Sequence, residues 1–159
     1  RGLGDVYKRQ DQLRPLHLAQ TLHFVMITAD AGLKTPAVYA RLDEQRQRAG
    51  LDPRLVEQPQ DPTALMTALE TGDLSAIAQL IHNDLEPAAL ELMPELELTM
   101  ATATKHGALR AFVSGSGPTV AALVPSAAAA RDLAAQMQAA NFVAIAVSST
   151  ASGAELLGE

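Results

Sequence analysis

The chain has 159 residues, 48% apolar and 19% charged, enough to build one domain with its own core, which excludes an intrinsically disordered chain. With 12 basic and 18 acidic residues the formal charge is -6, which argues against nucleic acid as a partner, and the absence of cysteine excludes disulfides, thiolate metal sites and thiol catalysis. The longest uncharged stretch, Ala111 to Ala130, is broken by Gly115, Gly117, Pro118 and Pro125 and makes a poor membrane span; with no basic and apolar secretion signal, a cytoplasmic protein is expected.

Arg1 to Gln10 carries no apolar period. Gly2-Leu3-Gly4 does not make a nucleotide loop, because no third glycine follows, no strand precedes it, and Lys8 is not in the G-K-[ST] context. These ten residues are expected to be a non-native leader, with the domain over 11–150, a loose tail over 151–159, and a natural chain that extends further upstream.

Leu22 to Thr28 is a β-branched and aromatic run bounded by the Asp30-Ala31-Gly32 turn, which predicts a first strand. Thr35-Pro36 supplies an N-cap with proline at the first helical position, and Val38, Tyr39 and Leu42 share one face of a helix reaching about Gly50. Asp61-Pro62 opens a second helix through Leu65, Met66 and Leu69, which Gly72 stops; Asp73 caps a third with Leu74, Ile77, Leu80 and Ile81. Pro87 and Pro94 divide Asn83 to Gly107 into two short helices.

The period then changes. Leu109 to Val113 and Thr119 to Val124 predict two strands of a hairpin across Ser114-Gly115-Ser116-Gly117-Pro118. Ser126 caps an alanine-rich helix with Leu133 and Met137 on one side, Asn141 closes it, and Phe142 to Val147 is the last strand, with a loose tail from Ser148. The order is β-α-β-β-α-β with extra helices in the first crossover, a ferredoxin-like α+β sandwich.

Between the hairpin strands, Gly115 and Gly117 remove the Cβ atoms that keep a ligand from the backbone, and Ser114, Ser116 and Thr119 add hydroxyls. Such a loop can cradle a phosphate; its spacing equally fits a plain glycine-rich turn. Neither serine sits in G-x-S-x-G, which excludes a hydrolase nucleophile elbow. His17, His23, His82 and His106 lack metal-ligand spacing and read as surface or hydrogen-bonded core histidines. Asn83-Asp84-Leu85-Glu86 beside Pro87 suits helix ending and recapping, with a magnesium role as the alternative. Periodicity directs Tyr39 to the core.

Ser114-Gly115-Ser116-Gly117-Pro118-Thr119 resembles the third conserved motif of the GHMP kinase superfamily, and homoserine kinases carry nearly the same string. Taken with Thr35-Pro36-Ala37-Val38-Tyr39 and Asn83-Asp84-Leu85-Glu86-Pro87-Ala88-Ala89, in that order, the chain from about Pro15 to Val147 is similar to the C-terminal half of the 4-diphosphocytidyl-2-C-methyl-D-erythritol kinase family, of the alanine-rich actinobacterial kind. The resemblance implies transfer of the ATP γ-phosphoryl group to the 2-hydroxyl of 4-diphosphocytidyl-2-C-methyl-D-erythritol in non-mevalonate isoprenoid synthesis. ATP and Mg2+ would be bound mainly by an N-terminal domain that also holds the catalytic aspartate and lysine. No catalytic residue and no metal ligand is then expected in this chain, and by itself it is expected to be inactive.

The resemblance further implies that Tyr39 stacks on the cytosine ring of the substrate, that Thr35 is the nearby substrate-side hydroxyl, and that Ser114, Gly115, Ser116, Gly117 and Thr119 support the phosphate-binding region. It gives Asn83 to Glu86 a structural role. A homoserine kinase-like enzyme and a non-catalytic ferredoxin-like binding domain are the alternatives.

Overall fold

The computed structural model describes residues 16–29, 32–52 and 61–150. The leader over Arg1 to Gln10, Asp30 and Ala31 of the first turn, and the tail over 151–159 lie outside the described residues. Ten elements follow in order: β1 (His23–Thr28), α1 (Thr35–Arg48), α2 (Thr63–Thr71), α3 (Leu74–Leu80), α4 (Glu86–Leu92), α5 (Glu95–Lys105), β2 (Arg110–Val113), β3 (Val120–Val124), α6 (Ala127–Ala139) and β4 (Val143–Ser148).

The four strands form one antiparallel sheet in the order β2-β3-β1-β4. His23 stands opposite Val124 on one side and Ser148 on the other, and Val113 opposite Val120. That order, with α1 to α5 in the first crossover and α6 in the second, is the ferredoxin-like α+β sandwich expected from the sequence.

Because side chains alternate along a strand, each strand sends residues to two faces. Val25, Ile27, Val113, Val120 and Ala122 lie on one face and pack with Leu96 and Ala103 of α5 and Leu133 and Met137 of α6. Leu123 and Phe24 point the other way, where Leu22, Ala68 and Ile77 complete a smaller cluster with α2 and α3. β3 is covered on both sides and all five of its residues are buried, which is why it reads as an unbroken apolar run.

The local signals act largely as their chemistry requires. Asp73 Oδ1 accepts the Ala76 N–H at 2.9 Å, Ser126 Oγ accepts that of Ala129 at 3.1 Å, and Asp61 Oδ1 accepts that of Thr63 at 2.9 Å. Gly72 ends α2 in the left-handed region at φ 74°. Pro87 sits in the first turn of α4 and Pro94 is the N-cap of α5, so the segment does split into two helices.

Three expectations are corrected. Thr35 is not the N-cap of α1: Lys34 takes that position, its C=O accepting from Ala37 and Val38 at 2.8 and 3.3 Å, with no side-chain cap. Tyr39 is not in the core, being 54% exposed, because a helix with one side on the protein buries Val38 and half-buries Leu42 one turn on while the neighbouring position turns outward. The chain is not loose from Ser148, since Ser148 pairs with His23 and Ser149 N–H donates to Leu22 C=O at 2.8 Å. Among the described residues no helix is long and apolar enough to cross a membrane.

Candidate functional site

The loop from Ser114 to Thr119 connects β2 and β3 at one end of the sheet. Ser114 N–H donates to Thr119 C=O at 2.8 Å and closes the hairpin, and Gly117 N–H donates to Ser114 C=O at 3.0 Å inside it. Gly115 and Gly117 adopt φ values of 57° and 76°, the left-handed region that a side chain resists.

Their surroundings differ. A Cβ at Gly117 would sit 3.2 Å from Val113 Cγ1 and 3.3 Å from Leu33 Cδ1, whereas one at Gly115 would meet nothing within 4 Å. Gly117 therefore seats the loop on the segment leading into α1, and Gly115 stands on its open side.

The structure brings that loop to Thr35. Thr35 Oγ1 lies 2.9 Å from Ser116 Oγ, a hydrogen bond across 81 positions of sequence. Tyr39 lies one helical turn beyond Thr35, on the same side of α1, with its ring largely in solvent. Two of the resemblance-derived hydroxyls, those of Thr35 and Ser116, thus meet one helical turn from an exposed aromatic. Pro118, on the far side of the loop, borders a cleft of about 230 Å3 with Ile27, Leu96 and Phe142, and Glu95 is the one carboxylate among its described lining residues.

Sequence reasoning missed what Asn83 and Glu86 do to the loop. The recapping it expected is present, since Asn83 Oδ1 accepts the Leu85 N–H and Asn83 C=O accepts the Glu86 N–H, each at 3.0 Å. The same Asn83 side chain donates to Val113 C=O at 2.7 Å and Gly115 C=O at 2.8 Å, and Glu86 Oε2 accepts the Val113 N–H at 2.8 Å. Arg110 Nη2 lies 3.4 Å from Glu86 Oε1 and offsets its charge. No spacing signal reports a contact made across some thirty residues, and only the paired chemistry of a carboxamide and a carboxylate beside a proline hints at it.

The histidines behave as expected. His82 Nε2 lies 2.7 Å from Asp84 Oδ1 and His23 Nδ1 lies 2.8 Å from Ser148 Oγ, while His17 and His106 are exposed. Among the described residues no group of three or more His, Asp or Glu side chains comes together where it could hold a metal ion. A pronounced electrostatic feature joins α1 to α4: Gln45, Arg41 and Arg48 of α1 converge on Glu91 of α4 and hold its carboxyl down to about 2, well below its ordinary 4.5.

This fold and this loop define a class. The family model described as GHMP kinases C terminal matches residues 65–144, half of the chain, and the chain belongs to that family. Among curated proteins it is 39% identical over 151 residues to a 4-diphosphocytidyl-2-C-methyl-D-erythritol kinase of Pseudarthrobacter chlorophenolicus, covering 94% of this chain and 46% of that one. It is 47% identical over 132 residues to the kinase of the same name from Nocardia farcinica, covering 83% and 41%. The chain thus spans less than half the length of these relatives.

A crystal structure of 4-(cytidine 5'-diphospho)-2C-methyl-D-erythritol kinase superposes with a TM-score of 0.66 at 25% identity, over 87% of this chain and 46% of that one. A homoserine kinase from Cytophaga hutchinsonii superposes at 0.59 and 22% identity, over 87% and 44%, a likeness of fold alone.

Proposed function

We propose that this chain is the C-terminal half of a kinase that transfers the ATP γ-phosphoryl group to the 2-hydroxyl of 4-diphosphocytidyl-2-C-methyl-D-erythritol. The observation that carries the reading is the Thr35–Ser116 hydrogen bond, at 2.9 Å, which joins the substrate-side motif to the phosphate-side loop. Either motif alone fits a turn or a helix start; side by side they fit the one wall of a cleft that the resemblance implies. The relatives named above, all more than twice as long as the matched segment, support the same reading.

Phosphoryl transfer rests on holding donor and acceptor in line and offsetting the charge that develops on the transferred group. In this reading Tyr39 stacks on the cytosine, Thr35 hydrogen-bonds on the substrate side, and Ser114, Gly115, Ser116, Gly117 and Thr119 support the phosphates. The bound Mg2+ would neutralise phosphate charge, and it is assigned to none of the described residues, where no carboxylate cluster exists to hold it. The proton acceptor and the ATP loop belong to the upstream half. We assign residues 11–150 to the domain, treat 1–10 as a leader and 151–159 as a tail, and place the protein in the cytoplasm acting on small molecules rather than on nucleic acid or membrane.

The test is to express the protein from its full reading frame and, separately, residues 11–159, and to assay both with ATP and either 4-diphosphocytidyl-2-C-methyl-D-erythritol or homoserine. The reading expects transfer to the cytidyl acceptor by the longer protein only. Transfer to homoserine instead moves the assignment to the homoserine kinases, and no transfer to either supports a non-catalytic domain.

A further inference from the structure

Val113 ends β2, an edge strand, where an outward N–H and C=O would normally go to water or to an added strand. Here side chains take both: Glu86 Oε2 accepts the N–H at 2.8 Å, and Asn83 Nδ2 donates to the C=O at 2.7 Å. The second hydrogen on Asn83 Nδ2 goes to Gly115 C=O at 2.8 Å, and Oδ1 accepts the Leu85 N–H at 3.0 Å. Both donors of the carboxamide are therefore committed to the loop and its acceptor to the helix turn. The hairpin closes through Ser114 and Thr119 without Asn83, so the Asn83 contacts add direction rather than closure.

In a trans peptide the C=O of one residue and the N–H of the next point in opposite directions. Holding Gly115 C=O against Asn83 aims the Ser116 N–H away from Asn83, and holding Ser114 C=O against Gly117 N–H fixes the direction of the Gly115 N–H in the same way. Among the described residues no acceptor takes either of these N–H groups. Two donors with set directions and no partner among the described residues, beside the Thr35 and Ser116 hydroxyls, suit a phosphate oxygen.

We propose that Asn83 is a positioning residue for phosphate recognition, setting the direction of the Ser116 N–H, with Glu86 anchoring the strand end from which the loop departs. This rests on reading the loop as the phosphate-side wall. Asn83→Asp is the informative change, because an ionised carboxylate still accepts the Leu85 N–H but has no hydrogen to give to either carbonyl. Asn83→Ser, which keeps an acceptor and one donor, carries the test if the aspartate variant does not fold.

The experiment measures steady-state kinetics of the full-length protein and, on the same variants, the backbone amide resonances of Gly115 and Ser116. The expected result is a kcat/KM for ATP lowered roughly tenfold, with KM for the cytidyl acceptor close to the parent, with Tm lowered no further than the two lost hydrogen bonds require and with the Ser116 resonance shifted. An unmoved Ser116 resonance, an unchanged ATP constant, or a fall in Tm matched by equal losses toward both substrates overturns the proposal. If the parent transfers no phosphoryl group, the kinase reading fails by itself. Titration with inorganic pyrophosphate then decides, since positioning requires that it shift the Ser116 amide in the parent and not in Asn83→Asp, and any other pattern overturns it.

Discussion

Replacing Tyr39 with alanine removes a ring that is 54% exposed, so it opens no cavity and is expected to change stability by less than about 0.5 kcal/mol. Loss of the proposed base stacking is expected to remove about 1–3 kcal/mol from cytosine binding, roughly tenfold or more in affinity. The expected pattern is a raised KM for the cytidyl acceptor with little change in kcat, and near-normal behaviour for Tyr39→Phe, which keeps the ring face. A normal KM for Tyr39→Ala in the full-length enzyme sinks the stacking role. The two loop glycines make a second residue-scale test, because their φ values are alike but their neighbours are not. Gly117→Ala drives a methyl group against Val113 and Leu33 and is expected to cost about 1–3 kcal/mol through overpacking. Gly115→Ala, with open space at its Cβ, is expected to cost about 1–2 kcal/mol from the left-handed backbone alone and to act mainly on turnover. Denaturant unfolding of both variants beside their kinetics checks this; a larger stability loss at Gly115 than at Gly117 contradicts the packing argument.

At the scale of elements, α3 has seven residues and is too short to hold by its own propensity. It depends on the Asp73 cap and on Ile77 beneath the sheet. Asp73→Ala is expected to lower unfolding free energy by about 1 kcal/mol and to leave catalytic constants alone, since the second face of the sheet is remote from the loop. The α1–α4 contact is set differently, by Arg41 and Arg48 on Glu91, at 3.0 and 3.1 Å. The Glu91 carboxyl is held at about 2, below its ordinary 4.5, so its protonation in the unfolded chain precedes that in the folded one. Its stabilising contribution is therefore complete above about pH 4.5 and is lost as pH falls toward 2. The check is Tm against pH for the parent and Glu91→Gln: the gap between the two curves is expected to be widest near neutrality and to close across that window. A gap that is constant with pH rules out the ion pair as its source.

For the whole molecule, Leu98 and Val143 border the same cleft and Ile145 lies two residues further along β4, the three being 66%, 57% and 59% exposed. Alternation sends Val143 and Ile145 to the sheet face away from α5, so with Leu98 on α5 they expose apolar side chains that favour association. Residues 11–159 alone are expected to bind an apolar-sensitive dye and to self-associate with rising concentration, and Leu98→Lys with Ile145→Thr to reduce both without lowering Tm. Sedimentation of a clean monomer at high concentration, with no dye signal, contradicts this.

Much of the fold is local chemistry and was legible in the sequence. Caps at Asp73 and Ser126, stops at Gly72 and the proline pair, and the shift from helical period to short apolar runs at Leu109 each depend on a few neighbouring residues. Their order, read through the chirality and adjacency rules of strands, already implied the ferredoxin-like arrangement. The motif resemblance supplied the candidate residues, but not what holds them. Only the tertiary structure decided that the Thr35 hydroxyl pairs with that of Ser116 rather than with its own helix, that Tyr39 faces solvent, and that Asn83 and Glu86 grip the loop instead of merely restarting a helix. Each of those outcomes turns on which partner a polar group or a ring meets across tens of residues, and a choice among distant partners has no period or spacing to announce it.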